Sequence, residues 1–158
     1  MQLGQIAQKL DAMGVKTLGV VATDAERVRL YFRFRRPHMP VGADPGLATH
    51  RAFWLPNFGP PTPEAGEVLD RAAARELGLT GPVTVGALAQ LARRDGYAVT
   101  GADEADGARH GVQLVGQFLV DREGVVRWVN VECARDGIEG IGKLPSEDEV
   151  LAAARAIL

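Results

Sequence analysis

The chain has 158 residues, 46% of them hydrophobic and 24% charged, which fits one folded domain with a sizeable core and excludes a disordered polymer. Eighteen basic against twenty acidic residues leave a formal net charge of -2, so no global field recruits nucleic acid or an anionic membrane. The single cysteine, Cys133, excludes an internal disulfide, and the lack of a bilayer-length apolar run or a signal-peptide pattern points to the cytoplasm.

In chain order, Leu3, Ile6, Leu10 and Met13 fall on one helical face, with Gly14 as the stop. "VKTLGVVA", residues 15 to 22, is an apolar run without alternation, the pattern of a strand covered on both faces. Thr23 and Glu26 predict a capping box for a helix carrying Val28, Tyr31, Phe32 and Phe34, with arginines 27, 29, 33, 35 and 36 around it. "MPVGAD" predicts a short strand ending at Asp44, and residues 46 to 54 one or two helical turns. Three prolines and a glycine then punctuate residues 57 to 63. Thr62 and Pro63 open a helix carrying Val68, Leu69, Ala72 and Leu77. Thr84 is the expected cap of the next helix, with Leu88, Leu91 and Ala92 inward, and "GADEADGARHG", residues 101 to 111, reads as a mobile polar loop. Residues 57 to 111 therefore look like a helical insertion. "VQLVGQFLVD", "REG" and "VVRWVNV" predict a β-hairpin, and Ser146 with Glu149 caps a final helix through Val150, Leu151, Ala154, Ile157 and Leu158.

Between hairpin and final helix lies "GIEGIGKL", residues 137 to 144, one position from a phosphate-binding loop. Leu144 stands where a hydroxyl should meet magnesium, and Pro145 removes a backbone N–H from the helix start. The run therefore reads as an ordinary strand-to-helix loop. The histidines at 38, 50 and 110 are scattered, with no ligand spacing, so no metal is expected; no other cofactor is implied. Asp103, Glu104 and Asp106 lack the glycine and distal glutamate of a calcium loop. "RFRRPH", residues 33 to 38, reads as a solvated helix face over aromatic core residues, the competing reading being an anion-binding patch.

"GVKTLGVVATDAERVRLY", "VGADPGLATHRAF" and "GQFLVDREGVVRWVNV", closed by "LPSEDEVLAAARAIL", together resemble the peroxiredoxin-like branch of the thioredoxin-fold proteins, the alkyl hydroperoxide reductase/thiol-specific antioxidant family. The resemblance covers residues 1 to 54 and 112 to 158. It implies an α/β fold: a single thioredoxin-like domain over 1 to 158, a mixed sheet flanked by helices, with 15 to 22 a parallel inner strand, 112 to 131 the antiparallel hairpin and 57 to 111 inserted. It also implies thiol-dependent reduction of peroxides or disulfides, in an antioxidant role, with a thiol reductant. The family's central amino-terminal strand and the peroxidatic cysteine that follows it have no counterpart here. Val115 stands where the family has an arginine or a cis-proline, just before Gly116. The activity is accordingly expected to be weakened or absent, and a native start upstream of Met1 is a further expectation.

An unfilled strand position leaves edges that the flanking strands could close by pairing directly, or that another subunit could close, which predicts a homodimer. Cys133, near Arg135, is the candidate thiol, either reactive or a small buried residue at a strand end. Val115, Gly116, Trp54 and Asn57 are candidate pocket residues, with Trp128 beside them. Two function classes follow: a redoxin using Cys133, and a non-catalytic binding or assembly module that presents residues 57 to 111.

Overall fold

A computed structural model describes residues 2–33, 36–80, 86–96 and 100–158, with the side chains of Gln2 and Leu3 undescribed. The expected roles of the Leu3 side chain, Phe34, Arg35 and Thr84 lie outside that set. Among the described residues the fold is mixed α/β, with seven α-helices and two two-stranded sheets. None of those helices is long and apolar enough to cross a membrane. The chain divides into two compact units, residues 1–55, 117–130 and 145–158 in one, and 56–116 and 131–144 in the other.

The first unit opens with α1, Gln2–Ala12, followed by β1, Gly19–Val21, α2, Ala25–Phe32, β2, Val41–Ala43, and α3, Ala48–Ala52. β1 and β2 are parallel, with Gly19 opposite Val41 and Val21 opposite Ala43, and α2 is the crossover that parallel strands require. Asp24 caps α2 by accepting the Arg27 N–H at 2.9 Å; the expected box from Thr23 is displaced by one residue, because the Thr23 N–H is already given to the Val21 carbonyl. β1 is shorter than the apolar run suggested and half-buried throughout. The predicted cover on both faces is therefore not found.

β3, Gly116–Val120, and β4, Val126–Val131, form the expected hairpin. Its turn is fixed by Asp121, whose carboxylate accepts the N–H groups of Glu123 and Val125 and pairs with Arg127. α7, Glu147–Arg155, carries the predicted capping box between Ser146 and Glu149. One core joins Ile6 and Leu10 of α1, Leu119 of β3 and Val150, Leu151 and Ala154 of α7, with Trp128 of β4 packed against it. Each such Leu, Ile or Val side chain removed from water contributes about 1.5–3 kcal/mol. The exposed Lys9–Glu147 pair across the same helices adds little beside that. Direct pairing of β1 with the hairpin, one of the two closures considered, does not occur among the described residues.

In the second unit, α4, Pro63–Glu76, starts as predicted, with Thr62 accepting from Ala65 and proline in its first turn. α5, Ala87–Arg94, lies against it through Ala73, Ala74 and Ala87, with Leu77 and Leu91 alongside. Leu88, expected inward, is 45% exposed. Small residues on both helices let the backbones approach closely, and Asp70 of α4 fixes the approach by accepting the N–H groups of Gly86 and Leu88, both at 2.9 Å. Ala87 is thereby the residue turned inward. The predicted mobile loop is instead α6, Gly101–His110, capped reciprocally by Thr100 and Asp103. Aspartate in place of the usual glutamate hid that box from the sequence.

Candidate functional site

Cys133 follows the carboxyl end of β4, where the chain leaves the hairpin for a 3-10 turn at Gly137–Gly140. Glu132, only 8% exposed, organises the region. Its backbone N–H donates to the Val115 carbonyl at 2.9 Å, while its carboxylate accepts the Val115 N–H at 2.9 Å and the Gly142 N–H at 2.7 Å. One buried side chain thus ties the start of the hairpin to the loop after it, and a buried carboxylate that accepts two amide bonds has its desolvation largely offset.

Cys133 itself has φ of +64°, in the left-handed region that L-residues rarely occupy. The turn is held by Ala134 N–H to Val131 O at 3.2 Å and Gly137 N–H to Cys133 O at 3.0 Å. Gly140 backs onto it so closely that a Cβ there would lie 2.9 Å from the Cys133 Cα, which only glycine permits. Burial pushes the thiol pKa up, and the neighbouring carboxylates of Glu132 and Asp136 push it further in the same direction, with only Lys143 opposing. Lys143 is engaged with Asp136 at 2.8 Å. Arg135, its sequence neighbour, is exposed and is not among the charges that act on the thiol. This environment is the reverse of one that makes a nucleophile, because it favours the neutral thiol.

The other sequence candidates separate. Val115, 45% exposed, and the half-buried Gly116 stand at the start of β3, and Val115 meets Glu132 through its backbone. Asn57 works as a brace: its Nδ2 donates to His110 O and to Gln113 Oε1, and its Oδ1 accepts the Gly59 N–H. Trp54 belongs to the first unit, Asn57 to the second. Trp54 is 90% exposed with φ of +54°, whereas Trp128 packs on the core. An open, mainly apolar cleft of about 310 Å³ in the second unit is lined by Phe58, Pro60, Val112 and Ile138 among others, and by none of the tryptophans.

Sequence reasoning missed Glu132 and Asp44. Asp44 is buried at the end of β2, accepting the N–H groups of Ala48 at 2.9 Å and Thr49 at 2.7 Å, with His50 Nδ1 3.3 Å away. Burial pushes its carboxyl up, but the bonds from Ala48, Thr49 and His50 prevail and hold it at about 2. The sequence signal was available in Asp44, four residues ahead of the first N–H it caps. Among the described residues no cluster of His, Cys, Asp or Glu could hold a metal ion. In the glycine-rich run, the Gly142 N–H that would face a phosphate is committed to Glu132, and α7 begins beyond Pro145, as the sequence suggested. No family model, curated protein or solved structure matches the chain.

Proposed function

We propose that this chain is a peroxiredoxin-like, thioredoxin-fold scaffold of the class that reduces peroxides or disulfides with thiols, and that Cys133 does not serve it as a nucleophile. One observation carries the scaffold reading: among the described residues β1 pairs only with β2, and β3 only with β4. These are the two half-sheets expected on either side of the family's central strand, and neither is paired across that position. The order of elements in the first unit, helix, strand, helix, strand, short helix, hairpin and capped helix, supports the same reading, as does the core that α1 and α7 share with the hairpin.

A one-cysteine cycle needs a thiolate to attack a peroxide oxygen. The O–O bond breaks, the sulfur becomes a sulfenic acid, and the second oxygen leaves as water or alcohol after taking a proton. Two molecules of an external thiol then restore the cysteine, releasing water and a disulfide. Cys133, held protonated by burial and two carboxylates, is poorly placed to begin that cycle. The scaffold then works by binding or assembly, and the apolar cleft of the second unit, lined by Phe58, Pro60, Thr62 and Ala65 of the expected insertion together with Val112 and Ile138, is a candidate surface for it.

The test is hydrogen peroxide consumption with dithiothreitol, comparing the purified chain, Cys133→Ala and a protein-free blank. Equal rates for all three are expected. Turnover that disappears in Cys133→Ala would overturn the assignment of Cys133, and an experimental structure in which the edges of β1 and β3 do not face a common strand position would overturn the scaffold.

A further inference from the structure

The arginine-rich stretch that reads in sequence as a solvated face over aromatic core residues is built differently. Residues 27 to 43 hold five arginines and no acidic residue, against thirteen basic and twenty acidic residues in the rest of the chain. The net charge of -2 therefore hides a segregated cationic segment. At physiological salt, charges farther off than about 8 Å are largely screened, so a partner at this face meets the local sign. On α2 only Val28 is buried. Leu30 is 62% exposed and Tyr31 47%, although both lie in the last turn between Arg29 and Arg33, a setting in which arginine stems ordinarily cover apolar neighbours. Arg29, Arg33 and Arg36 are all exposed, and Arg29 and Arg36 form no ion pair among the described residues.

The fold brings one more leucine to the same end. α2 runs back from the end of β1 to the start of β2, where the Gly19 N–H donates to Pro40 O at 2.9 Å and Gly19 lies opposite Val41. Leu18, next to Gly19 and 66% exposed, thus stands at the end of the β1-α2-β2 unit that carries the last turn of α2 and Arg36. Lys16 and Asp11, close by in sequence, offset each other at 2.5 Å.

We propose that this end of the first unit docks on an anionic phospholipid surface, with Leu18, Leu30 and Tyr31 in the headgroup boundary and Arg29, Arg33 and Arg36 against the phosphates. Charge complementarity sets the sign of the partner. The exposed apolar side chains set its kind: leucine has no ring face on which a base can stack, as single-stranded nucleic acid requires, whereas leucine and aromatic side chains beside arginines are the composition of helices that lie in a membrane interface. The attachment is peripheral and reversible, since a few cations and three side chains are far from a spanning segment. This inference does not depend on the redoxin reading.

Co-sedimentation of the full chain with vesicles of phosphatidylcholine and phosphatidylserine in equal parts should show binding that falls with added salt and that pure phosphatidylcholine vesicles do not support. Arg29→Ala with Arg36→Ala should weaken it about twenty-five-fold, about five-fold for each arginine. Arg75→Ala with Arg93→Ala, exposed arginines of the second unit, should change it little. Leu30→Cys in a Cys133→Ala background, carrying an environment-sensitive dye, should shift its emission to the blue on the anionic vesicles. Every substituted position but Cys133 is exposed, and far-ultraviolet circular dichroism checks that each variant is folded. Absence of binding to the anionic vesicles overturns the proposal, and so does binding that both arginine pairs weaken equally or that leaves the dye at position 30 in water. A chain that ignores the vesicles and instead binds a single-stranded oligonucleotide or an acidic protein also overturns it.

Discussion

Replacing Glu132 with alanine removes the acceptor of two backbone N–H groups, those of Val115 and Gly142, at 2.9 and 2.7 Å. Neither amide has a second protein partner to turn to among the described residues, but Val115 is 45% exposed and Gly142 is exposed, so water reaches the freed donors in part. A fully buried unsatisfied donor costs about 1–3 kcal/mol, and these two, partly reached by water, should together lower stability by about 2 kcal/mol, after relaxation of the loop at Gly142. Glu132→Gln keeps one carbonyl acceptor but turns an NH2 group toward the other amide, so a loss of about half that size is expected. Urea unfolding followed by far-ultraviolet circular dichroism measures both. The same variants carry a second readout. Because the Glu132 carboxylate helps to raise the Cys133 pKa, Glu132→Gln should lower it, and alkylation of the thiol at fixed pH should quicken. A loss of less than about 1 kcal/mol in Glu132→Ala would refute the account of Glu132 as the tie between hairpin and loop. An unchanged alkylation rate in Glu132→Gln would refute its electrostatic part.

Thr100→Ala should loosen α6, since it removes the hydroxyl that accepts the Asp103 N–H while leaving the backbone half of the capping box; a cost of about 1 kcal/mol and faster amide exchange at Asp103 and Glu104 are expected, and unchanged exchange would argue against the cap. Asp44 has a folded pKa of about 2 against an ordinary 3.8, so its stabilising contribution is complete above the ordinary value and is lost as pH falls through about 2. Urea midpoints between pH 5 and pH 2 should therefore fall more steeply in the natural chain than in Asp44→Asn, and parallel curves would show that the carboxylate is not held by Ala48, Thr49 and His50.

Features encoded by neighbours in sequence were legible. Ser146 with Glu149 and Thr62 with Pro63 lie within one helical turn of the groups they satisfy, and both helices start where those residues place them. The hairpin was legible for the same reason, its turn being closed by Asp121 within six residues. α6 was missed because its box uses aspartate and its sequence has no apolar stripe; none of its residues is buried, so periodicity carried no signal. Asp70 capping α5 from α4 and Glu132 reaching Val115 span 16 to 18 positions, and nothing local marks them. Cys133 shows the same limit. Its nearest cation in sequence suggested activation, whereas burial and two carboxylates set the opposite direction in space.

The placement of the two tryptophans gives the protein a built-in optical division. Trp54 and Trp128 are the chain's whole complement, and both belong to the first unit. Trp54, almost fully in water, should emit at long wavelength and be quenched freely by iodide, while Trp128 against the core should emit further to the blue and resist the quencher. Tryptophan emission, excited apart from that of Tyr31 and Tyr97, therefore has no reporter in residues 56–116 and 131–144. Any transition seen by circular dichroism but not by tryptophan emission would be one that opens the second unit while leaving the first core intact.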